Sequence, residues 1–235
     1  MKPAVTVVTS TYNRADIVRV AIESVLRQDF EDWEMCVVGD CTPDDTAGTV
    51  ASYNDPRLKY FNLPEKSPPG SHGAIAKNHA IFKMSEAPLI AYLDDDDFYR
   101  PNYLRTMVGY LQATPAADMV YCRCAYLDKK TGRRVWGNPF QCWMHGYSYE
   151  KLKRYNFIDT DCVVHKRAIL DDVGGWDPAY YFDDYELWLR IGAKYNIHYL
   201  NQVLAEKYVD EPPFLVRAFT KGWKILRHGR TNPLE

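Results

Sequence analysis

The chain has 235 residues, 46% of them hydrophobic and 26% charged, with a formal net charge of −2, the size and balance of one globular domain with a sizeable core. A charge so near neutral carries no electrostatic footprint for a nucleic-acid backbone, and no apolar run reaches the roughly 18 residues of a membrane-spanning helix. The start, MKPAVTVVTSTYN, enters a strand pattern without signal-peptide features, and the six cysteines (Cys36, Cys41, Cys122, Cys124, Cys142, Cys162) form neither a CxxC pair nor a zinc spacing, which points to reduced core thiols in a cytoplasmic protein.

In chain order, residues 3–11 are β-branched and apolar, the pattern of a buried strand. Residues 15–28 set Ile17, Val20, Ala21 and Val25 on one helical face, with Asn13 and Asp16 placed to cap its start. A strand over 33–40 ends in Asp40, and 42–53 reads as a helix opened by Thr42 before Pro43. A short strand is predicted at 57–63. Residues 64–73, with three prolines and two glycines, read as a loop. A helix over 74–85, a strand over 88–94 and a helix over 101–114, with Pro101 in its first turn, follow. Segments 118–128 and 133–137 flank the turn KKTG and predict an antiparallel pair. The remainder is less regular. It holds an aromatic-rich stretch at 139–149, a strand near 157–165, a tight turn at Gly174–Pro178 and a helix carrying 184–195.

Repeated strand–helix units predict an α/β fold with a parallel sheet covered by helices on both faces. Ligands in such sheets bind at the carboxyl ends of strands, near a switch in strand order. Ser10 and Thr11, Asp40, and the run Asp94–Asp97 all fall at predicted strand ends, so three strand ends converge on one crevice. Neither GxGxxG nor GxxxxGK[ST] occurs, which removes support for a dinucleotide or P-loop site.

The run 93-LDDDDFYRP-101 sets four carboxylates directly after a buried strand. Neighbouring carboxylates repel and require a compensating cation. A divalent metal, Mg²⁺ or Mn²⁺, held by one or two of them together with substrate phosphate oxygens would supply that charge.

With these features in place, residues 5–46 resemble the opening of the family 2 glycosyltransferases. The shared features are the apolar strand, the T/S-YN signature, a helix ending in S-x-x-x-Q, a W-E strand, and an Asp followed by S/T-x-D-x-T. The segment 93-LDDDD-97 is similar to that family's DxD metal motif, 174-GGWD-177 to its G-G-[FW]-D turn, and 183-DDYELWLR-190 to its E-D-x-x-L-W-x-R helix, with Asp183 replacing Glu. The resemblance spans roughly residues 3 to 200. It implies a GT-A fold, Rossmann-like, with a mixed sheet and helices on both faces. It also implies a single domain over 1–235, comprising a nucleotide-binding half (1–127), an acceptor and catalytic half (128–205) and a C-terminal tail (206–235).

Carried over by position, the resemblance implies that Ser10, Tyr12 and Asp40 hold the nucleobase and ribose. Lys77 and Asn78 match the A-R-N helix, with Lys77 in place of Arg. Asp95 resembles the ribose contact, Asp96 the metal ligand with Asp94 assisting, and Asp184 the general base. Trp176, Asp183 and Arg190 are candidates for contacts to the sugar, acceptor or phosphate, although Trp176 equally suits a core aromatic and Arg190 a structural carboxylate. Trp143, Tyr147 and Tyr149 could line an acceptor groove or simply pack. The family's late metal-contacting His is missing; Asp210 or His228 stands in its place. The basic tail with Lys221, Trp223, Lys224, Arg227 and Arg230 could cover the diphosphate or touch a membrane surface peripherally.

The function so implied is an inverting, metal-dependent transfer of a sugar from a nucleotide-diphosphate donor, a UDP-sugar by expectation. The acceptor hydroxyl would belong to a saccharide, a lipid-linked glycan or a small molecule. The competing readings are a non-catalytic nucleotide-sugar or glycan-binding module and a sugar-nucleotide nucleotidyltransferase. The latter lacks the Gly-rich basic loop it would need after the first strand.

Overall fold

The computed structural model describes residues 2–135 and 145–209. Its elements are β1 (Val5–Thr11), α1 (Val18–Leu26), β2 (Trp33–Gly39), α2 (Thr46–Ala51), β3 (Leu58–Asn62), α3 (Ala74–His79), β4 (Leu89–Tyr92), β5 (Asp97–Tyr99), α4 (Tyr103–Ala113), β6 (Met119–Asp128), α5 (Tyr149–Leu152), β7 (Val163–Lys166), α6 (Ile169–Val173), α7 (Asp183–Gly192) and β8 (Ile197–Val209). They build one eight-stranded sheet in the order β3-β2-β1-β4-β7-β6-β8-β5. The first four strands are parallel neighbours. β7 then runs antiparallel to both β4 and β6, β8 runs parallel to β6, and β5 closes the edge antiparallel to β8.

Side chains alternate across the pleat, and the central strands divide two cores accordingly. Val5 and Val7, Met35 and Val37, and Ala91 and Leu93 face α1 and α4, where Ile22, Val25, Leu104 and Met107 complete one layer. Val8, Cys36, Val38, Ile90 and Tyr92 face the other way, onto α3, Trp176 and α7. Both faces of β2 are buried, which is why it reads as a continuous apolar run rather than an alternating one.

Several local expectations are corrected. α1 begins at Val18 and has no side-chain cap, so neither Asn13 nor Asp16 caps it. The approach to α1 is held from the next loop instead. Thr42 Oγ1 accepts the Asn13 N–H at 2.8 Å and Asp44 accepts the Ala15 N–H at 2.8 Å. α2 is capped by Asp45, which accepts the Gly48 N–H at 3.0 Å, and not by Thr42. The helix expected over 74–85 widens into a π-helical turn over Ala80–Met84. Among the described residues, the expected hairpin of 118–128 with 133–137 is a single bridge between Leu127 and Arg134, and β6 takes β7 and β8 as neighbours; positions 136 and 137 lie outside the described residues. The strand near 157–165 begins only at Val163, after a 3-10 turn over Thr160–Cys162 whose start Asp159 caps. Two strands were not anticipated: β5, three residues long, and β8, which runs through position 206, where the tail was expected to begin.

Among the described residues Cys36, Cys41, Cys122, Cys124 and Cys162 form no disulfide, and four of them are buried. Among the described residues no helix is long and apolar enough to cross a membrane. Cys142, Trp143, Asp210, Lys221, Trp223, Lys224, Arg227, His228 and Arg230 lie outside the described residues.

Candidate active site

The crevice forms where β2, β1 and β4, three parallel neighbours, end together. β1 is the switch point, since the chain moves outward to β2 and β3 on one side and returns to β4 on the other. Three residues here, Asn13, Cys41 and His72, hold left-handed backbone at φ 54, 53 and 44, a conformation that costs free energy and gathers at functional loops.

At the ends of β1 and β2, Asp40 is buried. Its Oδ1 accepts the Ser67 N–H at 2.9 Å and the Ser67 hydroxyl at 2.5 Å, and its Oδ2 pairs with Lys66 Nζ at 2.7 Å. Burial alone would raise this carboxyl, but the hydrogen bonds from Lys66 and Ser67 hold it below its ordinary value. The Lys66 ammonium also lies 3.1 Å from the centre of the Tyr12 ring, and that ring is 45% exposed. Ser10 abuts Gly73, the residue that opens α3. A Cβ at position 73 would lie 2.5 Å from Ser10 Oγ, and Gly73 has φ +82, so both space and conformation demand glycine there. Tyr12 and Asp40 are thus joined through Lys66, while Ser10 lies against the start of α3.

The acidic run is more heavily neutralised than the sequence suggested. Asp95 is buried. It accepts Thr11 Oγ1 at 2.7 Å and Arg14 at 2.8 Å, and the same Arg14 nitrogen lies 3.2 Å from Asp96. Burial pushes the Asp95 carboxyl up, with Thr11 and Arg14 opposing. Asp94, Asp97 and Asp161 offer oxygens within 4.8 Å of one another, a spacing that suits a cation. That cation is built in. Lys207 Nζ lies 2.6 Å from Asp161, 2.9 Å from Asp97, 3.1 Å from Asp159 and 3.7 Å from Asp94. Burial would lower the Lys207 ammonium, but the four carboxylates outweigh it and raise it well above its usual value. Asp161, fully buried, is raised well above the usual carboxylate range by desolvation first and by Asp94 next. The Asp94 carboxylate, placed by the sequence as an assistant to the metal, therefore faces Lys207, and its backbone N–H is fixed to Asp161 Oδ1 at 2.7 Å. Asp96 is the most open of the four, its side chain 53% exposed.

The run is braced from α1 as well. Ser24 Oγ accepts the Tyr99 N–H at 3.2 Å, while Gln28 donates to the Arg100 carbonyl at 2.8 Å and accepts the Leu104 N–H at 2.9 Å. The S-x-x-x-Q signature thus fastens the segment leaving the acidic run to the start of α4.

The opposite wall comes from α3 and α7. Lys77 is buried. Its ammonium lies 3.5 Å from Asp183, 3.3 Å from the His72 carbonyl and 4.0 Å from the Trp176 ring centre. Asp184 is half-buried in the first turn of α7. It accepts Asn156 Nδ2 at 2.9 Å and its neighbour's N–H, from Tyr185, at 2.7 Å. Burial, followed by the charge of Asp183, pushes the Asp184 carboxyl up to about 6. Burial likewise raises Asp183, against the pull of Lys77.

Three candidates are turned to internal use. Asn78 donates to the Trp176 carbonyl at 2.8 Å and accepts the Trp176 N–H at 2.9 Å, so both halves of its amide hold the Gly-Gly-Trp turn. Trp176, offered as a sugar platform, is 2% exposed and packs edge-on to Tyr92 and Trp188. Arg190 is bound to both oxygens of Glu186 at 2.6 Å and to the carbonyls of Val173, Gly174 and Gly175, the structural alternative. Tyr147 and Tyr149 pack against the second core, with the Tyr147 hydroxyl 3.4 Å from the Gly192 carbonyl.

Sequence reading missed Arg14, Lys66, Asp159, Asp161 and Lys207. Only the D-T-D alternation at 159–161, following an apolar pair, hinted at a strand-edge cluster. Arg14 and Lys207 are single basic residues whose partners are distant along the chain, 81 and 82 positions away for Arg14 and 46 to 113 for Lys207.

The fold has known counterparts. Among solved structures, S. aureus TarS superposes with a TM-score of 0.70 at 19% identity, over 88% of this chain and 60% of that one. A mannosyltransferase from Pyrobaculum calidifontis, solved with GDP-Man and Mn²⁺, superposes at 0.70 and 19%, over 99% of this chain and 67% of that one. These likenesses show the GT-A fold. Among sequences, an uncharacterized glycosyltransferase of Rickettsia typhi is 29% identical over 217 residues, covering 89% of this chain and 65% of the relative, so the chain spans about two thirds of that relative's length. WcaA of Escherichia coli, a glycosyl transferase named for colanic acid biosynthesis, is 33% identical over 83% of this chain and 68% of its own. The Escherichia coli glucosyltransferase WfgD, named for transfer from UDP-Glc to an α-D-GlcNAc-diphosphoundecaprenol, is 27% identical over 98% of this chain and 88% of its own. The Glycosyl transferase family 2 model matches residues 6–173. With a family match over most of its length and a crevice built at the ends of β1, β2 and β4, the chain belongs to glycosyl transferase family 2.

Proposed function

We propose that this protein transfers a sugar from a nucleotide-diphosphate donor, a UDP-sugar first among candidates, to a hydroxyl of a saccharide or lipid-linked acceptor, with inversion at the anomeric carbon. The observation that carries the reading is the division of the crevice. Asp40, Tyr12 and Ser10 line one end, the exposed Asp96 lies between, and a carboxylate with a raised pKa, Asp184, stands on the facing helix. The names of WcaA and WfgD support a place in polysaccharide or lipid-linked glycan assembly.

The donor set fits a divalent metal at Asp96 better than at the compact Asp94–Asp97–Asp161 cluster. Lys207 already fills that cluster, whereas Asp96 is open to solvent and, among the described residues, pairs with Arg14 at 3.2 Å. Hard cations such as Mn²⁺ and Mg²⁺ need few protein carboxylates when a diphosphate supplies oxygens. When bound, such a metal neutralises the charge developing on the leaving diphosphate. Asp94, whose side chain is 44% exposed, is the second candidate ligand.

The chain's own residues would do the rest. Asp40 accepts an N–H from the base, Tyr12 stacks on it, and Asp95, held by Thr11 and Arg14, receives the ribose hydroxyls. Lys77 offers an ammonium toward the phosphates while anchoring Asp183. Asp184 takes the proton from the acceptor hydroxyl as that oxygen attacks. A carboxyl near 6 is ionised at neutral pH yet more basic than an ordinary one.

The reading is tested by thermal stability with UDP, GDP and dTDP, each with and without Mn²⁺, on wild type and Asp96→Ala. A ligand of the folded state raises the melting temperature. The expected result is stabilisation by one nucleotide that needs both Mn²⁺ and Asp96. No stabilisation by any nucleotide at saturation would overturn the reading and bring a non-catalytic glycan-binding module forward instead.

A further inference from the structure

Lys66 stands in the corner that the two base-reading groups share. Its ammonium is 2.7 Å from Asp40 Oδ2 and 3.1 Å from the centre of the Tyr12 ring. A base stacked on this face of Tyr12 would lie at van der Waals separation, about 3.5 Å, with its N–H directed at Asp40. That is the volume the ammonium fills, so base and ammonium exclude one another.

The local hydrogen bonding separates what is anchored from what can leave. Ser67, 6% exposed, gives both its N–H and its hydroxyl to Asp40 Oδ1. Asp40 Oδ2 has Lys66 as its partner. The Lys66 side chain is 46% exposed. Its ammonium can therefore turn into solvent without moving the loop. Asp40 would stay oriented by Ser67, with one oxygen released as an acceptor.

We propose that Lys66 gates the nucleobase subsite, an internal cation that occupies the base's place between Asp40 and Tyr12 and is displaced when the base enters. This rests on the nucleotide-binding reading and adds a residue that tunes affinity there. The gate makes a prediction of unusual sign. Removing a lysine beside a site for an anionic diphosphate weakens binding if the lysine merely contributes positive potential. Removing a gate strengthens binding, because the base no longer has to break an ion pair and a cation–π contact.

The test is titration of the full chain, as wild type, Lys66→Met and Lys66→Arg, with UDP and GDP in Mn²⁺ and with uridine alone. Methionine keeps the apolar stem, and circular dichroism checks that each variant is folded. For the nucleotide that wild type binds, Lys66→Met should bind tighter on the order of three- to thirtyfold, the combined worth of an exposed ion pair and a cation–π contact. Uridine should tighten by a similar factor, because the effect lies at the base and not at the phosphates. Lys66→Arg should remain near wild type. Equal or weaker binding by Lys66→Met, with wild-type binding intact, overturns the gate and leaves the nucleotide reading standing. Tightening for UDP but not uridine also overturns it, by placing the effect at the diphosphate. If wild type binds none of the three, both readings fall.

Discussion

The Asp94–Asp97 run and the Asp183–Asp184 pair are both adjacent carboxylates at the rim of one crevice, yet the fold treats them oppositely. The run is neutralised from within. Arg14 holds Asp95 and Asp96, while Lys207 gathers Asp94 and Asp97 with Asp159 and Asp161. The pair has Lys77 at 3.5 Å from Asp183, and Asp184 is left with hydrogen bonds from Asn156 and a backbone N–H. A carboxylate with a cation at contact is a fixed charge suited to positioning. A half-buried one without such contact, beside a like charge, keeps proton affinity and suits a base. Residue type alone does not separate the two tasks; the distance to the nearest cation does.

The largest expected effect breaks the comparison on the base side. Asp184→Asn should lower turnover by roughly 10²- to 10⁴-fold, the usual worth of general-base catalysis, with the dissociation constant of the donor nucleotide little changed. In wild type the rate should rise with pH through about 6, because Asp184 acts only when ionised and its carboxyl lies there. A pH–rate profile flat between 5 and 7, or an equally active Asp184→Asn, would remove Asp184 from the chemistry.

On the other side, Lys207→Met leaves four carboxylates around a neutral side chain. Breaking a buried ion pair by removing one partner costs about 3–5 kcal/mol, which denaturant unfolding at pH 7.5 measures. The deficit should shrink as pH falls and the carboxylates protonate. A deficit independent of pH would mean that packing, and not charge, dominates at this position.

A smaller effect sharpens the distinction between bracing and catalysis. Asp44 accepts hydrogen bonds from the Ala15 N–H and from the Thr42 and Thr46 hydroxyls. Burial would raise its carboxyl, but these bonds prevail and hold it below the ordinary value. Its stabilisation is thus present above the unfolded-state pKa and is lost as pH falls through the folded one. Asp44→Ala should cost about 1–2 kcal/mol at neutral pH, and less near pH 3, with no separate effect on turnover of the folded fraction. Melting curves at the two pH values read this directly.

Much of the fold was legible because the central strands are written twice, as apolar runs and as spacing between helices. β1, β2, β3, β4, α4 and α7 appear close to where the periodicity placed them. β5 and β8 did not, since a three-residue edge strand carries no pattern and β8 alternates weakly between buried and exposed positions. Of the family's signatures, several proved to be braces. Ser24 and Gln28 fasten the exit of the acidic run, Asp44 fastens the loop after β1, and Asn78 fastens the Trp176 turn. A motif's spacing does not distinguish a residue that touches a ligand from one that holds such a residue in place.

The α/β architecture, the three strand ends that meet in the crevice and the carboxylates that line it were legible along the chain. Those follow from local hydrophobic periodicity and from short motifs read along the chain. Tertiary structure alone decided which carboxylate is paired and which is poised. The cations that settle it, Arg14, Lys77 and Lys207, reach their partners across 46 to 113 positions of chain, and charge acts through space with no regard for sequence separation.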